Sequence, residues 1–549
     1  MNFLKSEKRI SLCKLAGALI IAAALVIYGA VSVWRIVPGS GDYFHGIVFA
    51  TLALGVLMTL VLGWICFFCK VKIEKAYPVA ALFLAVMTFL ALPTYSKPDE
   101  QLHFETAYEL SNRMVGEKVY MDEWRFFLSM RACDNEYIGT ELSVEQYNWF
   151  GSLYTTNEQG EQTDDYIRNH SSGDILAYLI PAAGITVGRW LHLGFSGVAA
   201  MGTLFQAVFF ILMITYAMHK LPYGKQTLFV IALLPMTLQQ AYSFSYDSVL
   251  ISAGAVVTSL AVCWAAKIRA TDRGKKEELP VKAGILARPV FGVVTILEAV
   301  LFVFSAIMLL SVKAGVYALL VLLPVFACFS YKKFKTWIKV RNHKLVFAGI
   351  IVLLAVAVVF LLLFGGVGQR LTTLKVRPYV AWADTYGFSV MEYITHPFYT
   401  LKVLAYTCVT KGSYYVWTLL GGLLGWLDIT ISSKVLFLVL LFLLLSLVRS
   451  PEEKNVLKKS GRIGFLLTAM AIVLLSVLGM LFYWTPMFSP VVEGVQGRYF
   501  IPPLLAALLA VGFWKRPLWK RSVGNLFAVG MPLLDFAVII CIYINIITK

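Results

Sequence analysis

The sequence predicts an all-α polytopic membrane protein with about 13 transmembrane helices. Of its 549 residues, 59% are hydrophobic and only 14% are charged, whereas about a quarter of the residues in soluble domains are charged. Uncharged runs such as 345–364 and 463–484 suit a hydrocarbon core about 30 Å thick. The net charge of +17 sits largely in short loops between apolar segments. This is the positive-inside pattern of membrane proteins, and it argues against nucleic-acid binding.

Thirteen apolar segments follow one another along the chain. The predicted spans are 13–34, 46–69, 76–95, 198–218, 225–242, 248–266, 291–311, 314–330, 345–364, 432–448, 463–484, 499–514 and 523–546. The basic N-terminus precedes the first span with no cleavage-site pattern, so this span is predicted to be retained. The eight cysteines lie mostly in or beside spans, which predicts packing rather than disulfides.

Charge decides whether residues 174–191 form a fourteenth span. If they do not cross, and the N-terminus is cytoplasmic, the cytoplasmic segments hold 31 of the 48 Lys and Arg residues. If they crossed, every later basic loop would lie outside, against the positive-inside rule. Residues 174–191, with Pro181 and Gly184, are therefore predicted to form an interfacial or half-inserted helix.

Two outer regions and three domains follow from this topology. Residues 97–168 hold fifteen Asp and Glu against six Lys and Arg. Their many aromatic side chains predict a folded helical cap lying along the membrane. The second outer region runs over 365–431 and ends in a Gly-rich segment predicted to dip into the membrane. The domains are two N-terminal helices (1–75), a membrane core (76–514, with outer loops 97–172 and 365–431) and a last helix (515–549).

Asp99, Glu100 and His103 form the first candidate site. Ser96 and Asp99 resemble a helix cap, and helical spacing would put Asp99, Glu100 and His103 on one face. Carboxylates there can act as a general base or bind a divalent cation. Helix capping is the alternative, because acidic residues are stabilising at a helix N-terminus.

Tyr246 and Asp247 lie in a tight outer turn, where they can accept hydrogen bonds from a sugar or simply begin the next helix.

Arg498 and Tyr499 lie at the mouth of another span. The guanidinium can hold a phosphate with two hydrogen bonds or reach the membrane interface as an ordinary surface arginine. Lys313 separates two spans and is a candidate phosphate partner. Glu298 is the one acid predicted inside a span, and a polar contact between helices is expected for it.

Four segments carry a family resemblance: PDEQLHFETAYELS, YSFSYDSVL, VKAGVYALLVLLP and VQGRYFIPPL. In this order they resemble a bacterial family of multi-pass membrane proteins catalogued as a domain of unknown function. That family is in turn similar to the GT-C superfamily of glycosyltransferases, which use sugars carried on a polyprenyl phosphate. The resemblance covers roughly residues 76–514. The His-Pro-Pro stretch common after the first outer loop in that superfamily is replaced here by Asn169-His170-Ser171-Ser172.

The resemblance implies an inverting glycosyltransferase in the bacterial cytoplasmic membrane. Asp99 or Glu100 would be the base or a ligand of Mg or Mn. Lys313 and Arg498 would contact the lipid phosphate, with Arg370 or Arg377 as further candidates. The implied partners are the bilayer, a polyprenyl-phosphate-linked sugar and a cell-surface glycan. Two alternatives stay open: a transporter or flippase for a lipid-linked saccharide, and a non-catalytic scaffold for assembly of an envelope polysaccharide.

Overall fold

The chain is described by a computed structural model that covers most of its length. The described residues are 2–39, 42–117, 120–121, 126–134, 141–154, 162–168, 175–272, 294–329, 331, 374–451, 453–512 and 523–549. Over these ranges the protein is mostly helical and has no sheet-rich part. The predicted span 345–364 lies outside the described residues.

The α-helices run as follows: α1 Asn2–Ile36, α2 Tyr43–Gly63, α3 Ile73–Ala91, α4 Glu100–Val115, α5 Val144–Ser152, α6 Leu179–Trp190, α7 Phe195–Lys220, α8 Lys225–Ala232, α9 Pro235–Ala241, α10 Asp247–Asp272, α11 Ile296–Ser311, α12 Leu323–Cys328, α13 Val390–Thr395, α14 Pro397–Leu420, α15 Ser433–Ser446, α16 Lys459–Tyr483, α17 Ile501–Val511 and α18 Gly524–Thr548. A π-helical turn, Trp64–Phe68, continues α2. Short 3₁₀ helices occupy Ala132–Asp134, Ile175–Tyr178, Lys313–Leu322, Ala381–Ala383 and Gly497–Phe500.

Seven helices within the described ranges are long and apolar enough to cross a membrane. They are Glu7–Ile36, Tyr43–Phe68, Ile73–Ala91, Phe195–Lys220, Asp247–Ala270, Lys459–Tyr483 and Gly524–Thr548. Shorter apolar helices occupy Ile175–Trp190, Ile296–Ser311, Gly315–Cys328, Ser433–Ser446 and Gly497–Val511. The prediction of a multi-pass helical membrane protein is confirmed at this level.

The predicted span 225–242 is not one continuous helix. It is divided into α8 and α9, and Pro235 is the first residue of α9. Proline has no N–H and clashes with the carbonyl four residues earlier, so a helix stops before it and a new one starts on it. The predicted span 314–330 is also irregular, because it begins as the 3₁₀ helix Lys313–Leu322.

The acidic outer loop is folded, but it is not purely helical. The strands β1 Tyr120–Met121, β2 Phe126–Arg131 and β3 Gln162–Arg168 form an antiparallel sheet in the order β1-β2-β3. Helix α4 is largely buried and packs against α6, so it does not lie exposed on a membrane surface as predicted. An aromatic cluster that includes Phe104, Phe195 and Phe244 holds α4 and α7 together.

The second outer region also differs from the prediction. Residues 397–420, predicted as loop and dipping segment, form the 24-residue helix α14. Two short hairpins flank it: β4 Tyr379–Val380 with β5 Thr385–Tyr386, and β6 Leu423–Leu424 with β7 Ile429–Thr430. Tyr393 and Val403 pack against Leu481 near the end of α16.

The helix bundle has a polar group of residues at each of its two ends. At one end, which we call the site end, α10 begins at Asp247 and the 3₁₀ helix begins at Lys313. At the opposite end, Lys225 at the start of α8 pairs with Glu74 in the first turn of α3, with Nζ 2.9 Å from Oε1. The largest hydrophobic core, with Leu84 and Val256 among its members, lies between these two ends.

Candidate functional site

Four residues far apart in sequence meet at the site end, and we call them the site cluster: Asp99, Asp247, Lys313 and Arg498. Asp99 immediately precedes α4, and Asp247 is the first residue of α10. Lys313 begins a 3₁₀ helix, and Arg498 lies in the 3₁₀ helix that leads into α17. Because successive helices run in opposite directions, the segments that hold these four residues meet at the same end of the bundle.

Asp247 is the buried centre of the site cluster. The Nζ atom of Lys313 donates a hydrogen bond of 2.8 Å to its Oδ1 atom. The Nε atom of Arg498 lies 3.6 Å from its Oδ2 atom. Only 5% of the Asp247 side chain is exposed. Its carboxylate therefore serves to hold two cations in position, beyond the helix-starting role that the sequence left open.

Arg498 has donor capacity that the protein does not use. Its side chain is 7% exposed, and its Nη2 atom lies 3.9 Å from Oδ2 of Asp99. Distances of 3.6 and 3.9 Å are too long for hydrogen bonds. Within the described ranges, the buried Nε atom has no hydrogen-bond partner. A buried charged donor left without an acceptor is costly, which favours a site for an anionic ligand.

Asp99 differs from Asp247 in being open to solvent. Its side chain is 60% exposed, and its backbone is left-handed, with φ at 60°. Lys313 is also left-handed, with φ at 48°. Such conformations are costly for residues other than glycine and are concentrated at functional sites. A helix does begin here, with Asp99 as the N-cap residue of α4, but the predicted capping hydrogen bonds are wrong. The Asp99 side chain makes no capping hydrogen bond, and Ser96 donates to the carbonyl of Pro93.

Aromatic rings surround the Lys313 ammonium. Its Nζ atom lies 4.1 Å from the ring centroid of Tyr499 and 5.1 Å from that of Tyr246. The His103 ring is 5.0 Å from the Tyr246 ring, and its Nδ1 atom lies 2.7 Å from the Tyr178 hydroxyl. The structure thus brings His103, Tyr246 and Tyr499 to the cluster. It adds Tyr178, which no motif in the sequence indicated.

Glu100 is buried, and its carboxylate is held by partners within the fold rather than open to a substrate. Its Oε1 atom accepts hydrogen bonds from Nζ of Lys97 at 3.2 Å and from the backbone N–H of Phe244 at 3.3 Å. The Glu100 and Lys97 side chains are 1% and 3% exposed. Burial raises the pKa of the Glu100 carboxyl, and Lys97 opposes that shift. The prediction that Glu100 shares an open face with Asp99 and His103 is therefore wrong, because Asp99 leaves the helical path before α4 begins.

Arg377, a predicted phosphate contact, does not join the site cluster. Arg377 pairs with Glu392 on the surface, where its Nε atom lies 3.1 Å from both carboxylate oxygens. Its side chain is 50% exposed, and the ion pair that it forms within the described residues is with Glu392 and not with a member of the cluster. Arg370 lies outside the described residues.

The donor set does not fit a divalent cation. In the part of the chain that the structure describes, no group of three His, Cys, Asp or Glu side chains could hold a metal ion. Mg²⁺ and Mn²⁺ prefer several oxygen ligands, but Asp247 is neutralised by Lys313 and Arg498. Glu100 is likewise paired with Lys97. Asp99 and Glu100 therefore do not form the metal site that the resemblance implied.

Glu298 lies at the opposite end and forms the polar contact between helices that the sequence predicted. Its carboxylate accepts hydrogen bonds from Lys220 at 2.7 Å, from Lys267 at 3.0 Å and from the indole N–H of Trp264 at 3.0 Å. Glu298 is not the one acid inside a span, however. Asp535 lies in the middle of α18 and is buried, and the sequence reading overlooked it.

A comparison with family models matches this chain to a family of membrane proteins. The model described as "Predicted membrane protein (DUF2142)" matches residues 82–509, which is more than half of the chain. No curated protein and no solved structure matches the chain.

Proposed function

We propose that this chain, which belongs to the DUF2142 family of predicted membrane proteins, is a membrane glycosyltransferase. It moves a sugar from a polyprenyl-phosphate donor to a glycan of the cell envelope. The observation that carries the proposal is the pairing, 3.9 Å apart, of an exposed carboxylate on Asp99 with the buried, incompletely bonded guanidinium of Arg498. The first can take a proton from an acceptor hydroxyl, and the second can hold a phosphate.

The phosphate would replace Asp99 as the partner of Arg498. The present contact between them is long and solvent-exposed on the Asp99 side, and such pairs are worth about 0–1 kcal/mol. Charge-assisted hydrogen bonds from an arginine to a phosphate are considerably stronger. Lys313, held by Asp247, supplies a second positive charge beside it.

The transfer step then needs only the donor, the acceptor and these side chains. The acceptor oxygen attacks the anomeric carbon, and its proton passes to the Asp99 carboxylate. The bond from the anomeric carbon to the phosphate oxygen breaks, and its electrons remain on the polyprenyl phosphate. Arg498 and Lys313 stabilise the charge that develops on this leaving group. Attack from the face opposite the phosphate inverts the configuration at the anomeric carbon.

The aromatic side chains around Lys313 suit a sugar. Tyr246 and Tyr499 present flat rings beside the ammonium group, and His103 adds a further polar ring. Apolar surfaces combined with a few placed polar groups are the usual lining of small-molecule sites. Asp247 is a positioning residue in this scheme, because Lys313 and Arg498 occupy its carboxylate.

The distribution of charge supports an extracytoplasmic location for the site end in a bacterial cytoplasmic membrane. The basic segments Lys70–Lys75 and His219–Lys225 lie at the end of the bundle opposite the site cluster. Basic loops favour the cytoplasmic side. The N-terminus would then be cytoplasmic, and the acidic loop would face the envelope glycans.

The test is a transfer assay with purified protein in liposomes, using a radiolabelled hexose on polyprenyl phosphate and isolated envelope glycan as acceptor. Asp99→Asn should lower the transfer rate by about 10²–10⁴-fold, the usual contribution of a general base. The matched control is Glu145→Gln, which removes an exposed acid from the same loop. Equal rates for the two variants would reject the enzymatic role and favour the non-catalytic scaffold.

A transporter or flippase for a lipid-linked saccharide is the second candidate, and the broken helices favour it. The break between α8 and α9 and the 3₁₀ helix at Lys313–Leu322 both lie in segments that the sequence predicts to span the membrane. Transporters use such discontinuous helices at their substrate sites. In the same liposomes, movement of the labelled lipid between leaflets without formation of a glycosidic bond would support transport over transfer.

A further inference from the structure

Asp535 is an acidic side chain in the interior of a helix of membrane-spanning length. It lies near the middle of α18, within the candidate span Gly524–Thr548. Only 1% of the residue is exposed. Neither carboxylate oxygen has a hydrogen-bond partner among the described residues. Within the same ranges, no Lys, Arg or His side chain forms an ion pair with it.

Asp535 lies in a helix that is packed on several sides by other helices. Helix α18 packs against α1, α2, α3, α8 and α15, and the neighbouring side chain Phe536 lies against Gly55 of α2. Tyr242, which follows α9, is the titratable side chain whose charge would interact with that of Asp535. The Tyr242 hydroxyl donates to the carbonyl of Ala81 at 3.0 Å. The buried Tyr77 hydroxyl of α3 has no hydrogen-bond partner in the described part of the chain.

Glu298 shows what an ionised acid requires in this bundle. Its carboxylate is also fully buried, but two ammonium groups and an indole N–H donate to it. Asp535 has none of these donors within the described residues. An isolated buried charge costs far more than protonation does, so an unpaired carboxyl takes up a proton instead.

We propose that Asp535 is an intramembrane proton-binding site, occupied when the surrounding solution is neutral. The site lies beside the discontinuous segment of the bundle, because α18 packs against α8 and Tyr242 directly follows α9. Loss of the proton would place a charge against this segment, so the protonation state can influence how α8 and α9 pack. This inference is independent of the glycosyltransferase proposal, since Asp535 is not part of the site cluster.

Infrared difference spectroscopy of the purified protein in liposomes tests the proposal directly. The wild type at neutral pH should show the C=O stretch of a protonated carboxylic acid, shifted in D₂O, and Asp535→Asn should lose that band. Glu298→Gln is the matched control and should keep it. The asparagine is nearly isosteric with the protonated acid, so folding is preserved. Identical spectra for the wild type and Asp535→Asn would overturn the proposal.

A second measurement uses chemical reactivity. A lipid-soluble carbodiimide modifies protonated carboxyl groups inside membranes. Peptide mapping by mass spectrometry should find the adduct at Asp535 and not at Glu298. Labelling of Asp535 should decrease as the pH rises and should not respond to Na⁺. Protection by Na⁺ would overturn the assignment of the proton as the ligand, as would an adduct at Glu298 with none at Asp535.

Discussion

The Glu298 group and the site cluster lie at opposite ends of the bundle, and their buried charges are satisfied differently. At the opposite end, Glu298 accepts hydrogen bonds of 2.7–3.0 Å from Lys220, Lys267 and Trp264. At the site end, Arg498 lies 3.6 Å from Asp247 and 3.9 Å from Asp99 and leaves Nε without a hydrogen-bond partner in the described ranges. The first group is complete, whereas the second has room for another acceptor.

This difference separates a structural group from a candidate binding site more clearly than residue type does. Both ends combine carboxylates with cations, and a hydropathy profile of the sequence does not distinguish the two groups. A buried network in which every donor and acceptor is bonded stabilises the fold. It would lose hydrogen bonds, and therefore stability, if one of its members bound a ligand instead. A buried charged donor that the fold leaves unbonded favours a ligand that can accept its hydrogen bond, and a phosphate is such a ligand.

The largest effect that tests this comparison is expected from Arg498→Lys. Lysine keeps the positive charge but cannot give the planar two-donor contact of a guanidinium. The transfer rate should fall by about 10²–10³-fold, as when one donor to a developing negative charge is removed. The transfer assay in liposomes measures the rate, and thermal unfolding in detergent should show an unchanged midpoint.

A structural role for Arg498 would give a different result in the same two measurements. If the lysine variant unfolds at a lower temperature and the folded fraction transfers sugar at the wild-type rate, Arg498 is structural. The two ends would then be equivalent, and the unbonded Nε atom would carry no functional meaning.

A smaller effect, on stability alone, is expected from Glu298→Gln. The neutral amide weakens three charge-assisted contacts and leaves Lys220 and Lys267 facing each other. Hydrogen bonds to charged groups contribute about 1.5–3 kcal/mol each, so a loss of roughly 2 kcal/mol is expected. The thermal unfolding midpoint in detergent should fall, and transfer by the remaining folded protein should match the wild type. A lower rate at an unchanged midpoint would show that the opposite end also takes part in function.

Much of the site cluster could be predicted from sequence because membrane topology has few degrees of freedom. Once spans alternate in direction, the residues at their outer ends must share one face of the bundle. Asp99, Asp247, Lys313 and Arg498 were grouped in this way, and they do lie together although Asp99 and Arg498 are 399 positions apart in the sequence. Their separation in the chain did not matter, because each lies where a helix begins or ends.

Contacts within a few residues were harder to predict. Helical spacing placed Asp99 and Glu100 together, but the left-handed backbone of Asp99 directs Glu100 toward Lys97. Nothing in the residue types reveals that turn. Window-averaged hydropathy likewise concealed Asp535, because one acid hardly changes the mean of an apolar segment. The break at Pro235 did carry a visible signal, since proline interrupts helices.

The smallest effect is expected from Arg377→Gln, which removes an exposed cation that the sequence had grouped with Arg498. Arg377 lowers the pKa of Glu392 to about 2, so the pair is ionised throughout the neutral range. A depressed carboxyl pKa stabilises the fold above the unfolded value and loses that contribution only as the pH falls toward the folded one. Even so, solvent and salt screen an exposed pair. Transfer rate and unfolding midpoint at neutral pH should both match the wild type. A drop in rate like that of Arg498→Lys would mean that the anion site extends to this surface, and burial would no longer separate the functional arginine from the incidental one.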